Sequence, residues 1–231
     1  MPAQRVGSTA IAILRLDVVA QDASSEPGFI GHLALAGEDR PSYEASAVLP
    51  VLHMRPPLER AGECPANCVG SVGLTADEQL QIGLFYDEVE SEYQAARARP
   101  VQQYVISPHI DEIRREDQTV VCRRFSCAGF VIEAYREARI DMLATGRDDL
   151  PVVCLDTLKT QYPVFARNLD HLRLREQLGI PGDGPWPVVL AGYVVNALNR
   201  PETVIRSTPY RAIAGDEFFP PRQRGESSPS R

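Results

Sequence analysis

The chain has 231 residues, 44% of them hydrophobic and 24% charged, with a formal net charge of −7. That length and apolar content suit one well-packed soluble domain, while the acidic balance argues against a nucleic-acid binder, because no basic face is available to displace phosphate counterions. No apolar run nears the roughly 20 residues of a membrane helix, and the short, alternating start is broken by Arg15 and Asp17 rather than built as a signal peptide, so a cytoplasmic location is expected.

From the N-terminus, "TAIAILRLDVV", "GFIGHLALAG" and "SYEASAVLPV" are rich in β-formers and predict three strands, with "GEDRP" as the hairpin loop between the second and third. Residues 53–74 are rich in proline and glycine and read as a long irregular loop. Within it "CPANC" carries Cys64 and Cys68. Five cysteines are an odd number, which disfavours a disulfide framework inside the cell. A zinc site would need a fourth ligand and usually tighter spacing. The pair therefore reads as free thiols, or as a disulfide if the protein is exported; no metal and no cofactor are expected.

Thr75 and Glu78 form a capping box that opens a helix through "QLQIGLFYDEVESEYQAARA". "VQQYVI" and "QTVVC" are short strand candidates or connectors. A second helix follows in "RRFSCAGFVIEAYREARIDML", where Cys127, Phe130, Val131, Ala134, Tyr135 and Ala138 share one stripe and Glu133, Arg136 and Glu137 fall on other faces. Ser126 is its expected N-cap. Further on, "YPVFARNLDHLRLREQLG" reads as a helix stopped at Gly179, and "PVVLAGYVVNAL" fits either a buried strand or a helix. One domain is expected over residues 8–214, with 215–231 a disordered polar tail.

A cysteine in the first turn of a helix has two readings. It is a small buried hydrophobe, or it is a thiolate favoured by the partial positive charge of the helix N-terminus. The second makes Cys127 the most reactive of the five thiols, and it requires a base and a group to orient that base. Of the four histidines, His53 in a Pro-rich stretch, His109 after "SP" and His171 in a charged helix read as surface or loop residues. His32 interrupts an apolar strand. Glu44 lies on the expected partner strand, where cross-strand side chains stand about 4.5–5.5 Å apart, close enough for its carboxylate to hold the imidazole in one tautomer.

"FSCAGFVIEAYREARIDML" resembles the cysteine-helix motif of the NlpC/P60 superfamily of papain-like amidases, although Ala128 stands where serine is commoner. "GHLALAGEDRPSYEAS" resembles the histidine hairpin of that family, here placed before the cysteine as in the circularly permuted YiiX-like and lecithin-retinol-acyltransferase-like groups. The resemblance implies an α+β, papain-like NlpC/P60 fold, circularly permuted, with an antiparallel sheet packed against a central helix that carries the cysteine at its N-terminus. It implies Cys127 as nucleophile, His32 as general base and Glu44 as the orienting residue. The backbone N–H of Cys127 would serve as one oxyanion donor, and Tyr43 and Tyr104 are candidates for the second. The expected activity is hydrolysis of an amide by a peptide amidase or isopeptidase through an acyl-enzyme. The acidic chain favours amine-bearing, peptide-like or isopeptide substrates, with neither nucleic acid nor a membrane as partner. The alternatives are a non-catalytic peptide- or acyl-binding relative, a lipid acyltransferase or thioesterase of the same superfamily, an unpermuted hydrolase using His171, and a structural protein with a core cysteine.

Overall fold

The computed structural model describes residues 2–7, 10–44, 47–55 and 57–221, with the backbone alone for Asn168. Strands dominate the first third: β1 (Gln4–Arg5), β2 (Ile11–Ile13), β3 (Val18–Ala23), β4 (Glu26–Ala36), β5 (Arg40–Tyr43), β6 (Leu49–Met54), β7 (Leu58–Cys64) and β8 (Cys68–Gly70). Six of them form an antiparallel sheet in the order β1-β8-β3-β4-β6-β7, and β2 pairs with β5 apart from it.

The first expected strand is split in two. Leu16 enters the left-handed region at φ 69°, and the buried Asp17 carboxylate accepts from the Leu14 N–H and the Ser71 hydroxyl. The chain therefore turns between β2 and β3. The loop expected over 53–74 is largely sheet, because His53 and Met54 finish β6, and β7 and β8 follow. Cys64 and Cys68 are free thiols held inside these strands. Burial pushes their pKa values up to about 11 and about 12.

β4 is apolar because it is covered on both faces. Leu33 and Leu35 belong to the main core shared with the helices, whereas Ala34 and Ala36 join a smaller cluster with Ile13, Tyr43 and Val51.

The helical half opens with α1 (Ala76–Ala96), capped by the Thr75–Glu78 box and burying Ile82, Phe85, Tyr86, Val89 and Tyr93. A hairpin of β9 (Ile110–Arg114) and β10 (Val120–Phe125) leads into α2 (Cys127–Glu137). Then come β11 (Val152–Val153), α3 (Leu155–Gln161), α4 (Leu172–Gln177), β12 (Trp186–Pro187) paired with β11, α5 (Ala191–Leu198) and α6 (Glu202–Ser207). The helix expected over 162–179 is broken into 3-10 turns at 163–165 and 168–170 before α4. The ambiguous apolar run contains α5, in which every residue is buried, and a helix buried all round shows no polar face to betray its period.

The expected domain limits are too narrow. β1 pairs with β8, and beyond residue 214 Asp216, Phe218 and Phe219 are buried. Asn196 Nδ2 donates to the carbonyls of Gly192, Asp216 and Phe218 at 3.1, 2.8 and 2.9 Å. Phe218 meets Phe29 edge-on at 5.3 Å. Residues 222–231 of the expected tail lie outside the described residues. Among the described residues no helix is long and apolar enough to cross a membrane. An antiparallel sheet followed by helices is an α+β arrangement.

Candidate functional site

The first turn of α2 is fixed by its surroundings. Ser126 Oγ accepts from the Gly129 N–H at 2.9 Å, and the Ser126 N–H donates to the His109 carbonyl at 3.2 Å. That same carbonyl lies where a side chain on Gly129 would begin, so only glycine fits the third position of "CAG". Below the turn, Phe85, Phe125 and Phe130 pack with ring centres 5.6–6.0 Å apart.

Cys127 is 2% exposed. The Leu33 backbone N–H and the Tyr104 hydroxyl lie beside its sulfur and favour the ionised form. Its own N–H donates to Tyr104 Oη at 3.4 Å. Burial outweighs these favourable contacts and raises the thiol pKa, so the expectation of a depressed pKa at Cys127 is corrected. The lowered thiol is Cys154, which is exposed at the N-cap of α3 and held by the hydroxyl and N–H of Thr157.

His32, on β4, bonds through Nε2 to His53 Nδ1 at 2.8 Å, and His53 Nε2 meets Glu59 Oε2 at 3.0 Å. The hydrogen-bond chain sets the tautomers. A carboxylate can only accept, so His53 carries its proton on Nε2; with both rings neutral, His53 Nδ1 accepts from His32 Nε2–H. The lone pair of His32 is then on Nδ1. Burial, followed by the neighbouring His53 and Arg55, lowers the His32 pKa to about 3. Gly62 clears the space for this relay, because a side chain there would collide with the His53 ring and the Glu59 carboxylate.

The thiol and the imidazole thus sit at adjacent residues of β4 without meeting. β4 and β6 pair at Leu35↔Leu52 and Ala36↔Val51, and beyond those pairs His32 and His53 bridge the two strands. Leu33 sends its side chain into the main core, so His32 leaves the strand on its other side, with the thiol against the strand backbone. The hydrogen bonds of the two groups run to other partners. An open cleft between them, as expected from the sequence, is not formed. α3 and the turn after it lie over this region: Gln161, 1% exposed, donates from Nε2 to the Gly31 carbonyl at 2.7 Å. Tyr162 and Phe165 pack on the Tyr104 ring at 6.1 and 5.3 Å.

The remaining candidates divide sharply. Glu44 is exposed just past β5, and β5 pairs with β2 rather than β4, so the expected His32–Glu44 pair is not made. His53 takes that place. The sequence hint was the alternation of Leu49, Val51 and His53, obscured by the prolines that follow. Tyr43 is spent elsewhere, its hydroxyl donating to the Ala47 carbonyl and accepting from the Ala66 N–H. His171 is exposed at the start of α4. His109 is buried rather than on the surface, with Nε2 at 2.9 Å from Glu133 Oε1. Glu133 also accepts from Arg136, so two residues outside the apolar stripe join His109 in a half-buried network. No known protein family, curated protein or solved structure matches the chain.

Proposed function

We propose that the protein is a cysteine-dependent amide hydrolase, a peptide amidase or isopeptidase of the permuted papain-like kind, with Cys127 as nucleophile and His32 as base. His53, backed by Glu59, orients the base in place of Glu44. The observation that carries the reading is the buried thiol at the capped N-terminus of α2, packed against the strand on which His32 heads a His53–Glu59 relay that leaves Nδ1 as its unprotonated nitrogen. Cys127 and His32 stand on opposite sides of β4 at rest, so the movement that admits substrate also brings the His32 ring to the sulfur, and the Cys127 proton then passes to His32 Nδ1 as the sulfur attacks the amide carbonyl. The oxyanion forms beside the Cys127 N–H and the Tyr104 hydroxyl, which turn from each other to the substrate oxygen. The protonated His32 gives its proton to the departing amine, leaving a thioester. Water then attacks the thioester, its proton passes to His32, and the carboxylic acid leaves as the proton returns to the sulfur. Substrate entry requires α3 and Tyr162 to lift.

A second reading, a non-catalytic relative that binds a peptide or acyl group, draws support from the 2% exposure of Cys127 and its raised thiol pKa. Labelling with a peptidyl acyloxymethyl ketone, followed by peptide mapping, separates the two. A hydrolase labels at Cys127, and His32→Ala abolishes that labelling. Gln161→Ala, which removes one hydrogen bond holding the cover, speeds it about fivefold, as a loss near 1 kcal/mol predicts. Modification confined to Cys154, with Cys127 untouched until the protein unfolds, establishes the non-catalytic reading. Phospholipid deacylation lost in Cys127→Ala, with no amide cleavage, moves the substrate to the acyltransferase branch.

A further inference from the structure

On the other side of α2 from β4, the loops around 107–109, 145–150 and 179–189 enclose a cavity of about 590 Å³, within the range of small-molecule sites. Neither Cys127 nor His32 is among its walls. One wall is apolar, built from Pro108, Pro187, Val189 and the indole of Trp186. The Trp186 N–H is already committed to the Pro181 carbonyl at 2.6 Å, and Arg175 covers the ring at 5.6 Å. The indole is 6% exposed, so it offers the cavity an apolar strip and no donor.

Two of the polar side chains of the cavity are donors. Thr145 Oγ1 accepts from Arg136 Nη2 at 2.8 Å, so its proton is free to be donated. His109 turns Nε2 to Glu133 and Arg136 and is thereby tied to α2. Arg147 lines the cavity and makes no ion pair with a described residue. The one carboxylate in the wall, Asp183, is paired with Arg175 at 3.3 Å. A guanidinium and a hydroxyl donor facing an aromatic and proline-lined wall match an anion on an apolar body.

We infer that this cavity is a binding site for a small carboxylate with an apolar body, the carboxylate held by Arg147 and Thr145 and the body packed against Pro108, Pro187, Val189 and the part of Trp186 that reaches the cavity. The inference stands whether or not Cys127 is catalytic. Trp186 is the single tryptophan of the chain, so its fluorescence, excited at the red edge, reports the cavity directly. Titration with 3-phenylpropionate should give a saturable change in the submillimolar range, whereas 3-phenylpropionamide and 2-phenylethylamine should not. Arg147→Gln and, separately, Thr145→Val should each weaken carboxylate binding, the first by about tenfold, as expected for one charge-assisted hydrogen bond. Circular dichroism of both variants must match the parent. Equal binding of the amide, preference for the amine, unchanged affinity in Arg147→Gln, or no saturable change at millimolar carboxylate would each overturn the assignment.

Discussion

At Cys127 two physical effects oppose each other, and their balance sets what the thiol does at rest. The helix N-terminus, the Leu33 N–H and the Tyr104 hydroxyl all favour a thiolate, yet removal from water costs more, and the pKa rises. Cys154 has weaker help but keeps its water, and its pKa falls. Iodoacetamide near neutral pH should therefore modify Cys154 first and fastest, and Cys154→Ser should remove the fast phase; mass mapping over time checks the order. His32 carries a second test. Unfolded, it takes a proton near pH 6.5, and folded only near about 3. Between those values the unfolded chain holds the extra proton, so the stability contributed by neutral His32 is complete above pH 6.5 and is lost as pH falls towards 3. The slope for one such group is about 1.4 kcal/mol per pH unit. His32→Gln, which cannot titrate, should flatten the acid limb by up to that slope in urea melts. An unchanged difference between the two proteins from pH 7 to pH 4 would show that His32 is solvated.

Elements are held here by close backbone approaches as much as by side chains. Helix propensity alone predicts that Gly129→Ala stabilises α2 by nearly 1 kcal/mol. The His109 carbonyl reverses the sign, since the new methyl has no room, and we expect a loss of about 1–3 kcal/mol, typical of overpacking. A thermal melt decides, and a rise in Tm would mean that the 107–109 loop yields easily. The same reasoning explains why α2 was legible in the sequence. Its N-cap and its stripe are local, and the structure keeps both. β5 was legible as a strand but not as a partner, because pairing depends on which edge is free and on what covers each face. β4 is covered on both sides, so its composition carries no trace of whether β5 or β6 lies beside it.

Across the whole molecule, the two ends of the described chain close the fold together. Arg5 reaches the Phe219 carbonyl and pairs with Asp22 at 2.5 Å, while Asn196 gathers the 216–218 backbone under α5. Ending the chain at Ala214 strips Phe218 from Phe29, removes Phe219 from the core and leaves the Asn196 amide with one of its three partners. Each lost phenylalanine is worth about 3–5 kcal/mol, so the truncated protein should melt at least about 10 °C lower. A melt within a degree or two of the parent would show that residues 215–221 are dispensable.

The sequence by itself determined what short-range chemistry can specify: the capping box of α1, the Ser126 N-cap, the apolar stripe that inserts Cys127 into the core, the strand holding His32, and the acidic balance of the chain. Only the tertiary structure decided who meets whom. It gave His32 a histidine from β6 instead of the glutamate after β5, turned much of the 53–74 stretch into sheet, buried His109 against the half-buried Glu133, drew residues 216–219 into the core and put α3 over the thiol. The division has one physical cause. Helix caps and turns are decided within a few residues by backbone geometry, whereas strand partners and buried polar pairs are selected by desolvation between segments far apart in the chain.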